Sequence, residues 1–246
     1  MQNYRPAFSN IPPVVKNLII INALMLLATY VLSMRGINLS SILGLHFIYS
    51  PAFKPLQLVT HLFMHGGFMH LLFNMFALWM FGRVLESVWG PRRFFIYYFV
   101  TGLGAAALHT FVNFLEYQSI VSKMSPDQID LVMQQGREIW LQGKNFTDPL
   151  MGKLNMLLNI PTVGASGAVF GVLLGFGMLF PNTQLYLLFP PIPIKAKYFV
   201  IGYGLLELYL GLSRPGSNVA HFAHLGGMLF GYLMIKYWNK NSRHFY

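Results

Sequence analysis

Long apolar runs without a charged residue alternate with short basic segments along this sequence. Residues 17–34, 55–82 and 94–115 contain no Lys, Arg, Asp or Glu, and a transmembrane helix needs about 20 apolar residues. The uncharged run 154–194 is too long for one helix and contains prolines, which end helices. We therefore predict an all-α membrane protein, a bundle whose transmembrane helices are 17–34, 60–82, 94–115, 164–181, 196–212 and 219–237.

The composition agrees with this prediction and excludes other classes of protein. Only 10% of the residues are charged and 55% are hydrophobic, whereas a soluble domain has about 25% charged residues. An ordinary soluble enzyme and a disordered chain are both excluded. The net charge of +10 comes from scattered basic residues, which indicates the positive-inside bias of a membrane protein and no nucleic-acid partner. Because cysteine is absent, disulfides, thiol nucleophiles and thiolate metal sites are excluded.

Six spans place both termini on one side, which the distribution of Lys and Arg makes cytoplasmic. We expect a cytoplasmic segment 1–16, a membrane domain 17–237 and a cytoplasmic tail 238–246, in a bacterial inner membrane. Within the domain, 116–160 forms an extended outer loop that holds five of the seven acidic residues. Ser125 and the proline after it are a helix start, and the following periodicity predicts a short amphipathic helix, a lid or spacer.

The fourth predicted helix is shorter than the bilayer. From Ser166 to Phe180 it has 15 residues, about 22 Å, against about 30 Å of hydrocarbon. Ser166 would then lie below the outer surface, where the backbone must be satisfied by protein or by a wet cavity. The sequence therefore predicts a submerged pocket with Ser166 at a helix N-terminus, whose free N–H groups and dipole suit a developing oxyanion.

Glycines recur at helical spacing on two predicted helices. The fourth helix has Gly167, Gly171 and Gly175, and the sixth has Gly227 and Gly231 on the same face as His224. Each ladder alone is typical of plain helix packing. If the two ladders contact each other, however, His224 lies beside Ser166. The combination favours a nucleophile and base pair, in which Ser166 attacks and His224 takes its proton.

The second predicted helix carries His61, His65, His70 and Asn74 in its outer half. Polar residues at this depth usually face a cavity. His61 and His65 are four residues apart, but no carboxylate lies nearby to complete a metal site, so we expect no metal and no cofactor. His70 and Asn74 share a helix face, and both can donate hydrogen bonds, as an oxyanion hole requires.

A third catalytic residue is not expected. Glu86 lies 16 residues after His70, about 24 Å along a helix, too far to reach His224. Glu207 is the one acid within the spans whose depth would allow the contact. We predict a dyad in which packing, rather than a carboxylate, orients His224. Phe170, one turn after Ser166, is placed to stack on the imidazole, and an interpretation as a core aromatic does not conflict with stacking.

Four motifs together resemble those of rhomboid intramembrane serine proteases, over roughly residues 15–237. They are Gly164-Ala165-Ser166-Gly167 for GxSG, Ala223-His224 with Gly227 and Gly231 for AHxxGxxxG, His70 to Asn74 for HxxxN, and Gly82 to Glu86 for GxxxE. The resemblance implies that Ser166 is the nucleophile and His224 the base, with His70, Asn74 and the Ser166 backbone N–H as oxyanion hole. It also implies a substrate gate at 213–221 and the fifth span, and a structural role for His65. The supporting residues would be Gly164, Gly167, Phe170, Gly227, Gly231, His65 and Glu86.

The sequence departs from the family pattern in two places. Leu56-Gln57 stands where the family often has Trp-Arg, which leaves the anchoring of the first outer loop in question. The third outer loop is longer than in a minimal six-helix member. Neither departure touches the residues assigned to the chemistry.

The function expected from the sequence is that of an intramembrane serine endopeptidase acting on single-pass or polytopic membrane proteins within the lipid bilayer. Two alternatives stay open. One is a catalytically inactive rhomboid-like protein that binds transmembrane helices. The other is a small transporter with His61, His65 and Glu207 as a proton relay.

Overall fold

A computed structural model describes residues 11–186, 192–213 and 220–241 of the protein. Within these ranges the chain is mostly helical, which confirms the all-α class apart from one pair of short antiparallel strands. The elements are α1 (Pro13–Ser33), α2 (Leu39–Leu43), α3 (Gln57–Thr60), α4 (Phe68–Ala77), α5 (Arg83–Val121), α6 (Pro126–Leu141), α7 (Pro149–Asn159), α8 (Ser166–Leu179), β1 (Gln184–Tyr186), β2 (Pro193–Lys195), α9 (Ala196–Ser213) and α10 (His221–Asn241). Some sequence predictions lie outside the described residues: most of the gate loop 213–221, Pro190, Pro191, and residues 1–10 and 242–246 of the terminal segments.

Among the described residues, two helical segments are long and apolar enough to cross a membrane, Pro13–Ser33 and the 54 residues Phe68–Val121. The second segment joins α4 to α5 through a π-helical turn and bends at Gly90, whose φ of 78° is left-handed. Glycine tolerates this backbone conformation, and Pro91 lacks the N–H that would continue the helix. The bend separates the second and third predicted spans. The prediction that the second span begins at residue 60 is wrong, because α4 begins at Phe68 and His61 and His65 precede it. Ser166–Leu179, the fourth, is a shorter apolar helix of 14 residues.

The small residues of α8 allow a close approach of α5. A Cβ on Gly171 would overlap Thr101, and a Cβ on Gly175 would lie 3.0 Å from the Tyr97 hydroxyl. That hydroxyl donates a hydrogen bond of 2.7 Å to the Gly171 carbonyl. The prediction that this ladder faces the sixth helix is therefore wrong for Gly171 and Gly175, which face the third predicted span instead.

Helix α10 meets α8 at a single step of the predicted ladder. Gly227 packs so closely that a Cβ there would overlap the carbonyl of Gly167. Gly231, one turn further along α10, faces the Tyr97 hydroxyl of α5. The two backbones thus touch beside the positions of Ser166 and His224.

The long third loop folds into a packed pair of helices, α6 and α7. Ser125 and Gln128 form a reciprocal capping box at the start of α6, which confirms the predicted helix start. The side chain of Asp148 caps α7 without such a reciprocal bond, accepting from the backbone N–H groups of Leu150 and Met151. A small core joins this pair to the end of α5 and to the first loop: Phe47, Ile120, Val132, Met151, Leu154 and Leu158. The segment is therefore a docked structural unit.

Gln57 anchors the first loop, the place where the sequence departs from the family pattern. Its side chain is buried and makes four hydrogen bonds to the backbone of the loop. The carbonyl oxygen accepts from the N–H groups of His46 and Lys54, and the amide donates to the carbonyls of Ile42 and Ala52. The first loop is thus held by the side-chain amide of Gln57, where the family often has Trp-Arg.

Glu86 caps the first helix from a distance. Its buried carboxylate accepts hydrogen bonds from the N–H groups of Val14 and Val15, at 2.9 and 2.8 Å. The two donors are unpaired backbone groups in the first turn of α1, where the helix dipole also favours a negative charge. Glu86 therefore ties α1 to the start of α5.

Replacing Glu86 should destabilise the bundle. Glu86→Ala leaves two N–H groups without their partner, and a buried unsatisfied donor costs about 1–3 kcal/mol. Glu86→Gln should cost less, because the amide oxygen still accepts. Thermal unfolding in detergent micelles measures the effect, with the exposed Glu138→Ala as control. A melting temperature for Glu86→Ala equal to that of the control would contradict the capping role.

Candidate active site

Ser166 is the first residue of α8. The first hydrogen bond of this helix runs from the N–H of Val169 to the carbonyl of Ala165. The N–H groups of Ser166, Gly167 and Ala168 therefore precede the helical ladder and lie at the positive end of the helix dipole. This places the serine hydroxyl among backbone donors, as the sequence predicted.

Gly164 shapes the turn that leads into Ser166. Its φ of 128° is one that residues with a side chain rarely adopt. A Cβ at this position would also lie 2.8 Å from Cε1 of the His70 ring and 3.7 Å from the Ser166 hydroxyl. The N–H of Gly164 donates to the carbonyl of His61, which fixes the turn against the end of α3. Only glycine satisfies both the backbone angle and the space.

The structure brings His224 of α10 to Ser166 of α8. The distance from His224 Nε2 to Ser166 Oγ is 2.9 Å, a hydrogen bond in which the hydroxyl donates when Nε2 is unprotonated. Phe170 stacks on the face of the imidazole ring of His224: the ring centroids are 4.1 Å apart and the planes differ by 5°. Phe170 thus stacks on the imidazole and is also a buried core aromatic.

A carboxylate also contacts His224, which the sequence analysis did not expect. Oε2 of Glu207, on α9, lies 2.9 Å from His224 Nδ1 and 2.7 Å from His221 Nδ1. The prediction that packing alone orients the imidazole is therefore wrong. His221 was missed, although its position one turn before His224 on the same helix and the lone acid of the fifth span were both visible signals.

The same three residues are the group that could hold a metal ion in the described part of the chain. The ligand atoms of Glu207, His221 and His224 lie within 4.8 Å of one another. His61 and His65, which were weighed as metal ligands from the sequence, have other contacts. His61 Nδ1 bonds to the Gln57 carbonyl, and the His65 ring packs edge-on against the His70 ring, with the ring centroids 5.0 Å apart.

His70 and Asn74 of α4 line the same cavity as Ser166 and His224. Nδ1 of His70 accepts a hydrogen bond from the N–H of Gly66 at 3.3 Å, so its Nε2 carries the ring proton. The amide of Asn74 donates to the His70 carbonyl at 2.9 Å, which leaves one of its two N–H groups for another acceptor.

The cavity has a volume of about 1380 Å³ and extends from Ser166 to the loop helices. Its wall near α7 includes Lys123 and Lys153. Between these lysines and the serine it is lined by a hydrogen-bonded row, in which Asn113 and Thr162 both contact Nε2 of His109. One side of the cavity is therefore polar.

Gly164→Ala should damage the site. The added methyl group must push against the His70 ring or shift Ser166, and the backbone angle becomes strained. We expect the reaction of Ser166 with a fluorophosphonate to slow by at least about tenfold. Gly202→Ala on α9 is the control, because a Cβ there meets nothing within 4 Å. Equal labelling rates for the two variants would contradict this account of the turn.

Comparison with known proteins gives the family of this chain. The family model of the Rhomboid domain matches residues 52–240. The chain is 26% identical to Rhomboid protein 1, mitochondrial, of Saccharomyces cerevisiae, over 76% of this chain and 43% of that protein. It is 30% identical to RHOMBOID-like protein 12, mitochondrial, of Arabidopsis thaliana, over 69% of this chain and 42% of that protein. It is 26% identical to Rhomboid protease GluP of Bacillus subtilis, over 72% of this chain and 24% of that protein.

The chain thus spans less than half the length of these relatives. The matched region nevertheless contains His70, Asn74, Ser166 and His224, together with the helices that carry them. Since the family model covers most of the sequence, the chain belongs to the rhomboid family of integral membrane proteins.

Proposed function

We propose that the protein is an intramembrane serine endopeptidase, which hydrolyses peptide bonds in or next to transmembrane segments of other membrane proteins. The observation that carries the proposal is the hydrogen bond of 2.9 Å between Ser166 Oγ and His224 Nε2 at a helix N-terminus. A hydroxyl becomes a nucleophile when an adjacent base accepts its proton, and His224 is placed to do so. The cavity beside the pair supplies room for a peptide.

The proposed reaction passes through an acyl-enzyme. Ser166 Oγ attacks the scissile carbonyl carbon while His224 Nε2 takes the hydroxyl proton. The negative charge on the carbonyl oxygen is stabilised by the Ser166 backbone N–H and by donors on His70 and Asn74. The tetrahedral intermediate then breaks its C–N bond, and His224 returns the proton to the leaving amine. Water, deprotonated by His224, hydrolyses the ester and restores Ser166.

The proposal includes a membrane arrangement. Six spans put both termini on the cytoplasmic side, and the active site opens towards the opposite side, with the submerged α8 in the outer half. The distribution of Lys and Arg supports this orientation. The relative from Bacillus subtilis supports a bacterial inner membrane, whereas two other relatives carry mitochondrial names. A substrate helix would unwind near its outer end before it enters the cavity.

Ser166→Ala and His224→Ala should each abolish peptide cleavage and fluorophosphonate labelling, because each removes one half of the proton transfer. Insertion and thermal stability should change little. The assay follows a reporter substrate with one transmembrane helix, with Ser87→Ala on the exposed side of α5 as control. Activity within about tenfold of wild type in either variant would reject the assignment and favour an inactive rhomboid-like protein that binds helices.

His70→Phe and Asn74→Asp should give graded losses. The first removes a ring N–H, and the second places a negative charge against the developing oxyanion. Loss of one oxyanion donor costs about a hundred- to a thousandfold in kcat, with KM changed little. Phe73→Leu is the control, since Phe73 lines the same cavity from the same helix without a donor. Near wild-type kcat in both variants would leave the oxyanion hole to the backbone alone.

A further inference from the structure

We propose that Glu207 is a positioning residue for His224, and that His221 holds Glu207 in place. Together with Ser166, the arrangement is a triad rather than a dyad. The inference rests on the proposed function, because it assigns Glu207 a role in the same proton transfer. Glu207, His221 and His224 lie on α9 and α10. Of these three polar residues, the sequence motifs include His224 but not Glu207 or His221.

The hydrogen bonds define which ring nitrogen faces the serine. A carboxylate only accepts, so the contact of 2.9 Å between Glu207 Oε2 and His224 Nδ1 requires a proton on Nδ1. A neutral imidazole then has an unprotonated Nε2, and this is the atom 2.9 Å from Ser166 Oγ. Glu207 thus selects the tautomer that can accept the serine proton.

Stacking and hydrogen bonding restrain different motions of the imidazole. The Phe170 ring lies parallel to His224 and holds the plane of its ring. A flat stacking partner, however, does not distinguish the two nitrogens, since rotation by a half-turn about χ2 returns the ring to the same plane. The Glu207 contact makes the two orientations unequal, because only one of them places Nδ1–H against the carboxylate.

Burial gives a second argument. Glu207 is 4% exposed, whereas its neighbours Leu206 and Leu208 are 48% and 42% exposed on the apolar outer face of α9. An acid at this depth is costly unless it is paired. The donors it meets are His221 and His224, and both share the same oxygen, Oε2. The acid therefore points inward to the histidines while the rest of this helix turn faces outward.

His221 has a supporting role in this arrangement. Its Nδ1 lies 2.7 Å from Oε2, and its ring is perpendicular to that of His224, with centroids 6.4 Å apart. The second hydrogen bond fixes the oxygen at the position from which it also reaches His224. When His224 becomes an imidazolium during the reaction, the negative carboxylate at 2.9 Å stabilises it without accepting the proton.

The experiment compares Glu207→Gln, Glu207→Asp and His221→Ala with the control variant Glu86→Gln. Glu86 is a buried carboxylate like Glu207, but its hydrogen bonds cap α1. We measure kcat and KM on a transmembrane reporter and the rate of fluorophosphonate labelling. Glu207→Gln should lower kcat by at least about a hundredfold with little change in KM. Glu207→Asp keeps the charge and should recover part of that loss, and His221→Ala should lose about tenfold. Glu86→Gln should lower thermal stability without lowering kcat.

A spectroscopic readout keeps the test independent of folding in the variants. Nitrogen NMR of ¹⁵N-histidine protein, with His224 assigned by difference from His224→Ala, should show the Nδ1–H tautomer of His224 in wild type. In Glu207→Gln the Nε2–H tautomer should gain population. An Nε2–H tautomer in the wild type, or a stoichiometric metal ion bound in place of the hydrogen bonds, would overturn the proposal.

The two proposals fail in different ways. If the wild type neither cleaves the reporter nor reacts with the fluorophosphonate, the proposed protease function is wrong. If the wild type reacts and Glu207→Gln keeps kcat within about threefold, the protease function stands and the positioning role of Glu207 is rejected.

Discussion

The backbone contact between Gly227 of α10 and Gly167 of α8 is the constraint on which the site depends. Each glycine lies within three residues of a member of the Ser166–His224 pair, and a side chain on Gly227 would overlap the neighbouring backbone. In an apolar environment no hydrophobic force presses two helices together, so close van der Waals packing and hydrogen bonds must do so. The glycine contact fixes the separation of the two backbones at which Ser166 Oγ and His224 Nε2 form a hydrogen bond of 2.9 Å.

Buried polar side chains then hold the other helices against this pair. Glu86 joins α5 to α1, Tyr97 joins α5 to α8, Gln57 ties the first loop, and Glu207 joins α9 to α10. Each of them bonds to a backbone or side-chain group of another helix or of a loop. Because an unsatisfied polar group is expensive in such surroundings, each bond specifies one relative position of two elements. The apolar contacts alone would allow helices to slide or rotate.

The difference between properties local to one helix and contacts between helices explains how much could be predicted from the sequence. Charge-free runs and helical spacing predicted the apolar helices, the start of α8 at Ser166, and the short helix after Ser125, since these are local properties. Spacing along one helix states which residues share a face, but not which neighbour that face meets. The glycine ladder of α8 was therefore assigned to the wrong helix at Gly171 and Gly175. The partner of Glu207 was missed for the same reason: its depth was readable, its rotation about the axis of α9 was not.

The polar side of the cavity completes the chemical argument. Hydrolysis of an acyl-enzyme needs water beside Ser166, and a cavity with purely apolar walls of this kind stays dry. The row of Asn113, His109 and Thr162 provides donors and acceptors that can hold water, and apolar residues such as Phe73 and Leu173 line the same cavity. The cavity therefore offers polar groups to water and apolar surface to the side chains of a peptide. The nucleophile and the base both line it, where α8 and α10 touch.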